Sequence, residues 1–375
     1  MAAPALILVL AIAVWATAVS EGFGRASSAA FTWLVDTLGW AFIIAAVVFF
    51  IAMIALAFSS LGHIRLGRDG EKPEFSTGGW IAMMFAAGMG IGLLFYGGYE
   101  PLYHHRNGVP GRAPGSPEDA FAHTLLHWGP IAWATYAVVG GAIAYSTFRM
   151  GRPQLISASC TPLIGERRAR GWLGNLIDVM AIFGTAIAAF VLVAGPTVAQ
   201  LDSIPMALGS HLDQLFEMTS RSAVSADGTA EPMLFALIDE LPWPGIVSVF
   251  TMVLLATFFI TTADSASTVM GTMSQRGRVN PTPWVTGVWG LMTTLIAVAM
   301  LPSGGTDILS SLQTIIIVAG SPFLLVVIAL LVSFIRGVSN DPSRLDDKAA
   351  RTVHLRMMRE QRRGEKSLER GTAPK

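Results

Sequence analysis

Eight stretches of this chain, each about twenty residues long, are free or nearly free of charge, and they leave it few ways to fold. They lie at about 4–20, 38–58, 79–99, 123–147, 173–199, 244–263, 284–301 and 309–335, each near the roughly 20 residues a helix needs to cross a bilayer. Only 13% of the 375 residues are charged and 53% are hydrophobic, whereas soluble domains carry about 25% charge. The chain therefore reads as an all-α integral membrane protein with a transmembrane domain over 1–335 and a tail over 336–375.

The basic residues orient it. With the N-terminus in the cytoplasm, the inner segments 59–78, 148–172, 264–283 and the tail from Arg336 carry 3, 5, 2 and 11 Lys and Arg, 21 of the 25 in the chain. Lys and Arg in short loops favour the inside, so both termini are expected in the cytoplasm of a multi-pass plasma-membrane protein. Outer segment 200–243 is acidic, with Asp202, Asp213, Glu217, Asp227, Glu231, Asp239 and Glu240. Leu208, Leu212, Leu215 and Phe216 share one helical face there, which suggests a helix lying on the outer surface. Outer loop 100–120 holds Pro101, Pro110, Pro114 and Pro117 and is expected to be irregular. The apolar N-terminus lacks the basic start of a signal peptide and is followed by more membrane, so it reads as a first span. The lone cysteine, Cys160, offers neither a disulfide framework nor a metal-type pair. The tail reads as a solvated basic extension or as a basic helix that meets anionic lipid; nucleic acid is not an expected partner.

Within the third span, Gly88, Gly90, Gly92, Gly97 and Gly98 fall in one uncharged run. Each interior glycine costs a helix about 1 kcal/mol relative to alanine, so the run marks a place for the helix to unwind in the membrane. Unwound backbone is tolerated there only where it lines a cavity or is buried in protein. The segment thus points to a small-molecule site.

Other side chains carry possible chemistry. Trp128, Trp133 and Tyr136 fall on one broad face of the fourth span at 100° per residue, and Pro130 between the two tryptophans bends the helix. Such a face suits a quaternary ammonium, which lacks a hydrogen-bond donor and is held by aromatic rings at about 0.5–2 kcal/mol each; an interfacial aromatic belt explains the same spacing. His123 and His127 are spaced i, i+4, a metal-binding interval, but no carboxylate stands between them. They are expected to be structural, and no transition metal is expected. Thr257, Thr261, Thr262, Asp264 and Ser265 crowd the inner end of the sixth span, where oxygen ligands suit a hard cation unless they hydrogen-bond their own backbone. Asp178 is the one acid inside a span; such acids are functional candidates, although its place near the inner end also allows plain solvation.

Taken together, AAGMGIGLLFYG at 86–97 with Glu100–Pro101, the His127–Trp128…Trp133…Tyr136 run, GGAIAY at 140–145, SADGTA at 225–230 and FFITTADSASTVMGTMS at 258–274 resemble the betaine/carnitine/choline transporter family. The resemblance implies the inverted-repeat fold of neurotransmitter-type sodium symporters, with twelve spans and a homotrimer, importing trimethylammonium osmolytes with sodium for osmoprotection. No covalent chemistry and no cofactor beyond the coupling sodium ion are implied. Trp128, Trp133 and Tyr136 match one wall of the family's aromatic box, and Gly88, Met89, Gly90 and Gly92 match its unwound substrate stretch. Ala86 and Met89 match backbone donors to sodium, completed by the Phe258 carbonyl and the hydroxyls of Thr261 and Thr262. Glycine at 92 is similar to the glycine betaine carriers, with choline and carnitine as further candidate substrates.

The chain also departs from that pattern. After FGTAIA at 183–188 it passes directly to FVLVAGPT, and after SADGTA to EPMLFAL, segments that relatives separate by further spans. One of the missing spans supplies the opposite wall of the aromatic box. Losing two or three cation–π contacts of about 1 kcal/mol each weakens binding roughly 10- to 100-fold. The expected fold is thus an incomplete inverted repeat of about eight spans, which leaves room for a shortened relative without transport that serves as a remnant or as a partner subunit. An intramembrane hydrolase built on Ser265 and a histidine is disfavoured, because the histidines and Ser265 sit at opposite ends of their spans, roughly 30 Å apart.

Overall fold

The computed structural model describes residues 2–88, 91–185, 234–235, 238–239, 241–300, 314 and 317–344. Every element among these residues is helical. In chain order they are α1 (Ala2–Ala18), α2 (Ser20–Phe58), α3 (Thr77–Gly88), α4 (Ile91–Asn107), α5 (Pro117–Trp128) and α6 (Pro130–Ala144), which runs into a π-turn at Tyr145–Arg149. Three one-turn helices follow, α7 (Ile156–Ser159), α8 (Thr161–Ile164) and α9 (Glu166–Ala169), then α10 (Trp172–Thr185). The last are α11 (Pro244–Ser274), α12 (Pro283–Met300) and α13 (Phe323–Ser339). Four described segments are long and apolar enough to span a membrane: Glu21–Phe58, Pro117–Arg149, Pro244–Ser274 and Ile317–Ser339.

These elements revise several boundaries. The expected outer loop between the first two spans is helix, because α2 runs unbroken for 39 residues from Ser20. The outer segment expected to be irregular is helical at both ends. α4 continues through Pro101 to Asn107, and α5 starts at Pro117. Pro101 removes one backbone donor, but the contact of α4 with α5, the most extensive helix pair among the described elements, holds the helix through it. At the other boundary, α13 passes Arg336 and ends at Ser339, inside the expected tail. The expected surface helix over 208–216 and the tail from residue 345 lie outside the described residues.

The core forms where α6, α13 and α2 meet. Ala134, Val138 and Ala142 on α6 and Leu330, Phe334 and Val338 on α13 are buried, each trio at four-residue spacing and therefore in one row along its helix. They pack with Phe49 of α2 and Ile182 of α10 in one cluster. A Cβ on Gly141 would come within 2.9 Å of the Phe334 ring, so glycine is required for this approach, as is usual where membrane helices pack closely. Ser333 Oγ donates to the Ser159 carbonyl at 2.7 Å, fixing α13 to the one-turn helices. Cys160 beside it is fully buried, and burial, helped by the nearby Asp178, pushes its thiol up to about 12.

A polar clamp closes the inner end of this core. The Tyr145 hydroxyl lies 2.9 Å from the Gly337 carbonyl and 3.1 Å from Asp341 Oδ2. Arg149 donates from Nε and Nη2 to both Asp341 oxygens at 3.1 and 3.0 Å, the bidentate form that adds geometric specificity. Its Nη1 reaches Asp69 at 2.6 Å and the Gly67 carbonyl at 3.1 Å. One guanidinium therefore ties the loop after α2, the end of α6 and the end of α13 together.

Burial alone would raise the Asp341 carboxyl. The Arg149 guanidinium outweighs it, with the Ser343 hydroxyl and amide and the Tyr145 hydroxyl, and the carboxyl stands at about 2, below the usual 3.9 or so. A lowered carboxylate contributes stability that is complete above its unfolded pKa and lost as pH falls through the folded one. The clamp should therefore hold from neutral pH to about pH 4 and fail towards about pH 2, seen as an acid-side drop in the melting temperature of the detergent-solubilised protein. Arg149→Met strands a buried carboxylate and should cost about 3–5 kcal/mol; a melt unchanged from wild type at pH 7 would show the clamp to be dispensable.

Candidate functional site

The central feature of the fourth span is a full break, where a bend was expected. α5 begins with Ser116, whose hydroxyl accepts the Asp119 amide at 3.1 Å, followed by Pro117 at its first position, a residue suited to a place with no helical donor to fill. It ends at Gly129, whose amide donates to the Leu125 carbonyl at 2.8 Å and where any Cβ would collide with that carbonyl. α6 restarts at once with Pro130 at its first position. The Trp133 indole closes the gap by donating to the Trp128 carbonyl at 3.1 Å.

Around this break the aromatic residues form two groups. Trp133 and Tyr136 lie with ring centroids 5.5 Å apart and are 43% and 70% exposed, so they present an open face. Trp128 instead stacks on Tyr96 of α4 at 6.2 Å. Tyr96 contacts Tyr99, and Tyr99 stacks on Tyr103 at 5.5 Å. The single wall of three aromatics is thus divided between two partners. The tyrosine ladder was available in the sequence as the 96, 99, 103 spacing, which is one helical face, but it lay beneath the glycine signal.

Of the glycine run, Gly88 is the last described residue of α3 and Gly92 lies in α4, described from Ile91; residues 89 and 90, including Met89, where the helix was expected to unwind, lie outside the described residues. Ala86 is on the last turn of α3. The other half of the expected cation site lies on α11, which touches α4, the helix that follows α3. On α11, Phe258 is buried and its carbonyl accepts the Thr261 hydroxyl at 3.0 Å, while Thr262 is half-buried. Thr257 likewise bonds its own helix at Val253.

Asp178 is neither solvated nor at the site. It is fully buried and accepts the Ser157 amide at 3.0 Å and the Ser157 hydroxyl at 2.6 Å, capping α7. A cavity of about 590 Å³ opens nearby, between Val139 and Ile143 of α6, Phe183 of α10, Thr272 of α11 and Phe323 of α13. Its lining is chiefly apolar, and none of Trp128, Trp133, Tyr136, Phe258, Thr261 or Thr262 contributes to it.

At the other end of α4 and α5 lies a polar cluster that the sequence half disclosed. His127 Nδ1 is 3.0 Å from Glu100 Oε2, and the His104 ring meets His123 at 4.6 Å between centroids. His123 and His127 are 4.8 Å apart. His104 and Glu100 both come from α4 and escaped the sequence reading because that segment was expected to be loop.

These long apolar helices define an α-helical multi-pass membrane protein. Residues 1–188 and 222–343 match the betaine/carnitine/choline family transporter pattern, and the chain belongs to that family, whose members are transporters and not enzymes. It is similar to the betaine/ectoine transporter LcoP of Corynebacterium glutamicum, 29% identical over 495 aligned positions covering 92% of this chain and 78% of that one. The glycine betaine transporter OpuD of Bacillus subtilis is 26% identical, over 88% of this chain and 92% of its own. The ectoine/hydroxyectoine transporter of Virgibacillus pantothenticus is also 26% identical, over 91% and 96%. An alignment of 495 positions exceeds the 375 residues available here, so this chain is shorter than its relatives within the aligned region. The family match stops at residue 188, directly after the FGTAIA motif where the sequence places a junction.

Asp178→Ala leaves the buried Ser157 amide and hydroxyl without an acceptor and should destabilise the protein by about 1–3 kcal/mol, measured by thermal unfolding. Asp178→Asn keeps one acceptor and should recover part of that loss.

Proposed function

We propose that the chain is a secondary carrier for a betaine-type quaternary-ammonium osmolyte, glycine betaine first and choline or carnitine next. The observation that carries this reading is the open Trp133–Tyr136 pair beside the Gly129–Pro130 break, in a chain whose family imports such solutes. A trimethylammonium group offers no donor, so it is bound by desolvated ring faces, and two exposed, adjacent rings supply them. The exposure of both rings fits a box whose opposite wall is missing.

Sodium couples this transport in the proposed reading. Ala86 and Met89 carbonyls, the Phe258 carbonyl and the hydroxyls of Thr261 and Thr262 supply hard oxygen ligands. Thr261 turns away from its own backbone to join such a site. The substrate stretch is Gly88, Met89, Gly90 and Gly92. Incomplete inverted repeats, a homotrimer, a plasma-membrane location with both termini cytoplasmic, a lipid-facing basic tail and a role in osmoprotection belong to the same proposal. A second reading, a shortened member that has lost transport and survives as a remnant or partner subunit, is favoured by the length deficit against relatives, because alternating access requires one repeat to move against the other.

Uptake of labelled glycine betaine into cells lacking other carriers, with sodium and with sodium replaced, separates the two. Sodium-dependent accumulation is expected, and Trp133→Ala should raise the half-saturating concentration by about tenfold, the equivalent of one strong cation–π contact. No uptake at any sodium level, with the protein present in the membrane, would leave the second reading.

A further inference from the structure

We infer that His104, His123 and His127 form a binding site for a late divalent transition metal, with zinc the best fit, along the contact between α4 and α5. Three imidazoles come from two helices, and one ring nitrogen from each lies within 4.8 Å of the others. The arrangement has a regular basis. Glu100 and His104 are spaced i, i+4 on α4, and His123 and His127 are spaced i, i+4 on α5, so each pair shares one helical face. Glu100 meets His127 while His104 meets His123, which places the two pairs side by side in opposite chain directions.

Two observations favour a metal over a bare cluster of rings. The Nδ1 atom of His104 is buried and has no hydrogen-bond partner, and a buried nitrogen of this kind costs free energy unless something occupies it. The Glu100 carboxylate, only 16% exposed, holds His127 through Nδ1 at 3.0 Å. That bond leaves the other His127 nitrogen free to ligate and is the carboxylate–histidine–metal arrangement by which proteins orient ligating imidazoles. Zinc accepts three imidazoles at about 2.0–2.1 Å and leaves a fourth position for water. Tetrahedral ligands at that distance sit about 3.3 Å apart, so the ring nitrogens need to close by up to about 1.5 Å from their 4.8 Å limit, within reach of side-chain rotation. Imidazole suits zinc, copper and nickel rather than calcium or magnesium. The pair at 123 and 127 alone did not call for a metal; the third ring from α4 does.

The site is independent of transport, and its test reads binding directly. The full chain, purified in detergent and stripped with chelator, is titrated with Zn²⁺ by calorimetry and, separately, with Co²⁺, whose visible spectrum reports coordination geometry. One equivalent of zinc, a tetrahedral cobalt spectrum and a zinc-dependent rise in melting temperature are expected. Glu100→Gln should weaken zinc binding about 10- to 100-fold while leaving the stoichiometry at one, as loss of an outer-shell partner does. His104→Gln, His123→Gln and His127→Gln should each abolish the cobalt spectrum, with size-exclusion profiles confirming folded protein. Absence of saturable zinc binding to the folded wild type, or zinc bound equally well by a His123→Gln/His127→Gln variant, would overturn the assignment.

Discussion

Everything in this protein follows from the demand that backbone polar groups inside hydrocarbon find partners within the chain. Regular helix meets that demand automatically, and each departure from it must be repaired locally. At Gly129–Pro130 the repair has three parts: a glycine amide turned back to Leu125, a proline that has no amide to lose, and an indole that donates to the Trp128 carbonyl. At Tyr145–Arg149 the helix widens into a π-turn, whose carbonyls then accept Met150, Gly151 and Arg152. Both repairs lie within one span: the first leaves Trp133 and Tyr136 exposed, and the second buries Tyr145, Ser146 and Thr147 and sets Arg149 in the clamp. Breaks are therefore where this fold has freedom to place chemistry.

The same demand explains what could be read in advance. Membrane class and the apolar stretches around 123–147 and 244–263 come from apolar run length, a property of each residue alone, and the helices Pro117–Arg149 and Pro244–Ser274 contain them but run past their expected limits. Helix outside the apolar runs was not visible in that way. Glu21, Arg25 and Asp36 hid the first half of α2, and Pro101 hid the outer half of α4, because a polar or proline-containing helix is maintained by neighbours that sequence spacing does not show. The site suffered accordingly. Trp133 and Tyr136 are adjacent as their spacing implied, whereas Trp128 found Tyr96 on another helix. Asp178 is not solvated as its place near the inner end allowed, because it is buried on Ser157, whose one-turn helix carries no periodic signal.

Family membership and shortening pull the interpretation in different directions. The match ends after residue 188 and resumes at 222, yet the described helices on either side still build a continuous buried core from α2, α6, α10 and α13. That core owes little to the omitted region, since the clamp on Arg149 and the bond from Ser333 to Ser159 join segments retained in full. Trp133 and Tyr136 of α6 stand outside it, with their rings exposed.

The length of α2 has a geometric consequence. Thirty-nine residues at 1.5 Å each make a rod of about 58 Å, nearly twice the hydrocarbon thickness of roughly 30 Å. Tilt cannot reconcile the two, because lying wholly inside would need an inclination near 60°, beyond the 0–40° range of membrane helices. Part of the rod must stand clear of the lipid tails. Glu21, Arg25 and Asp36 all fall in its first half, and from Trp40 to Phe58 the remaining stretch measures about 27 Å, close to one membrane. The helix is therefore a built-in gauge: the exposed Trp40 stands at the start of its membrane-length, uncharged half, where an interfacial aromatic belongs.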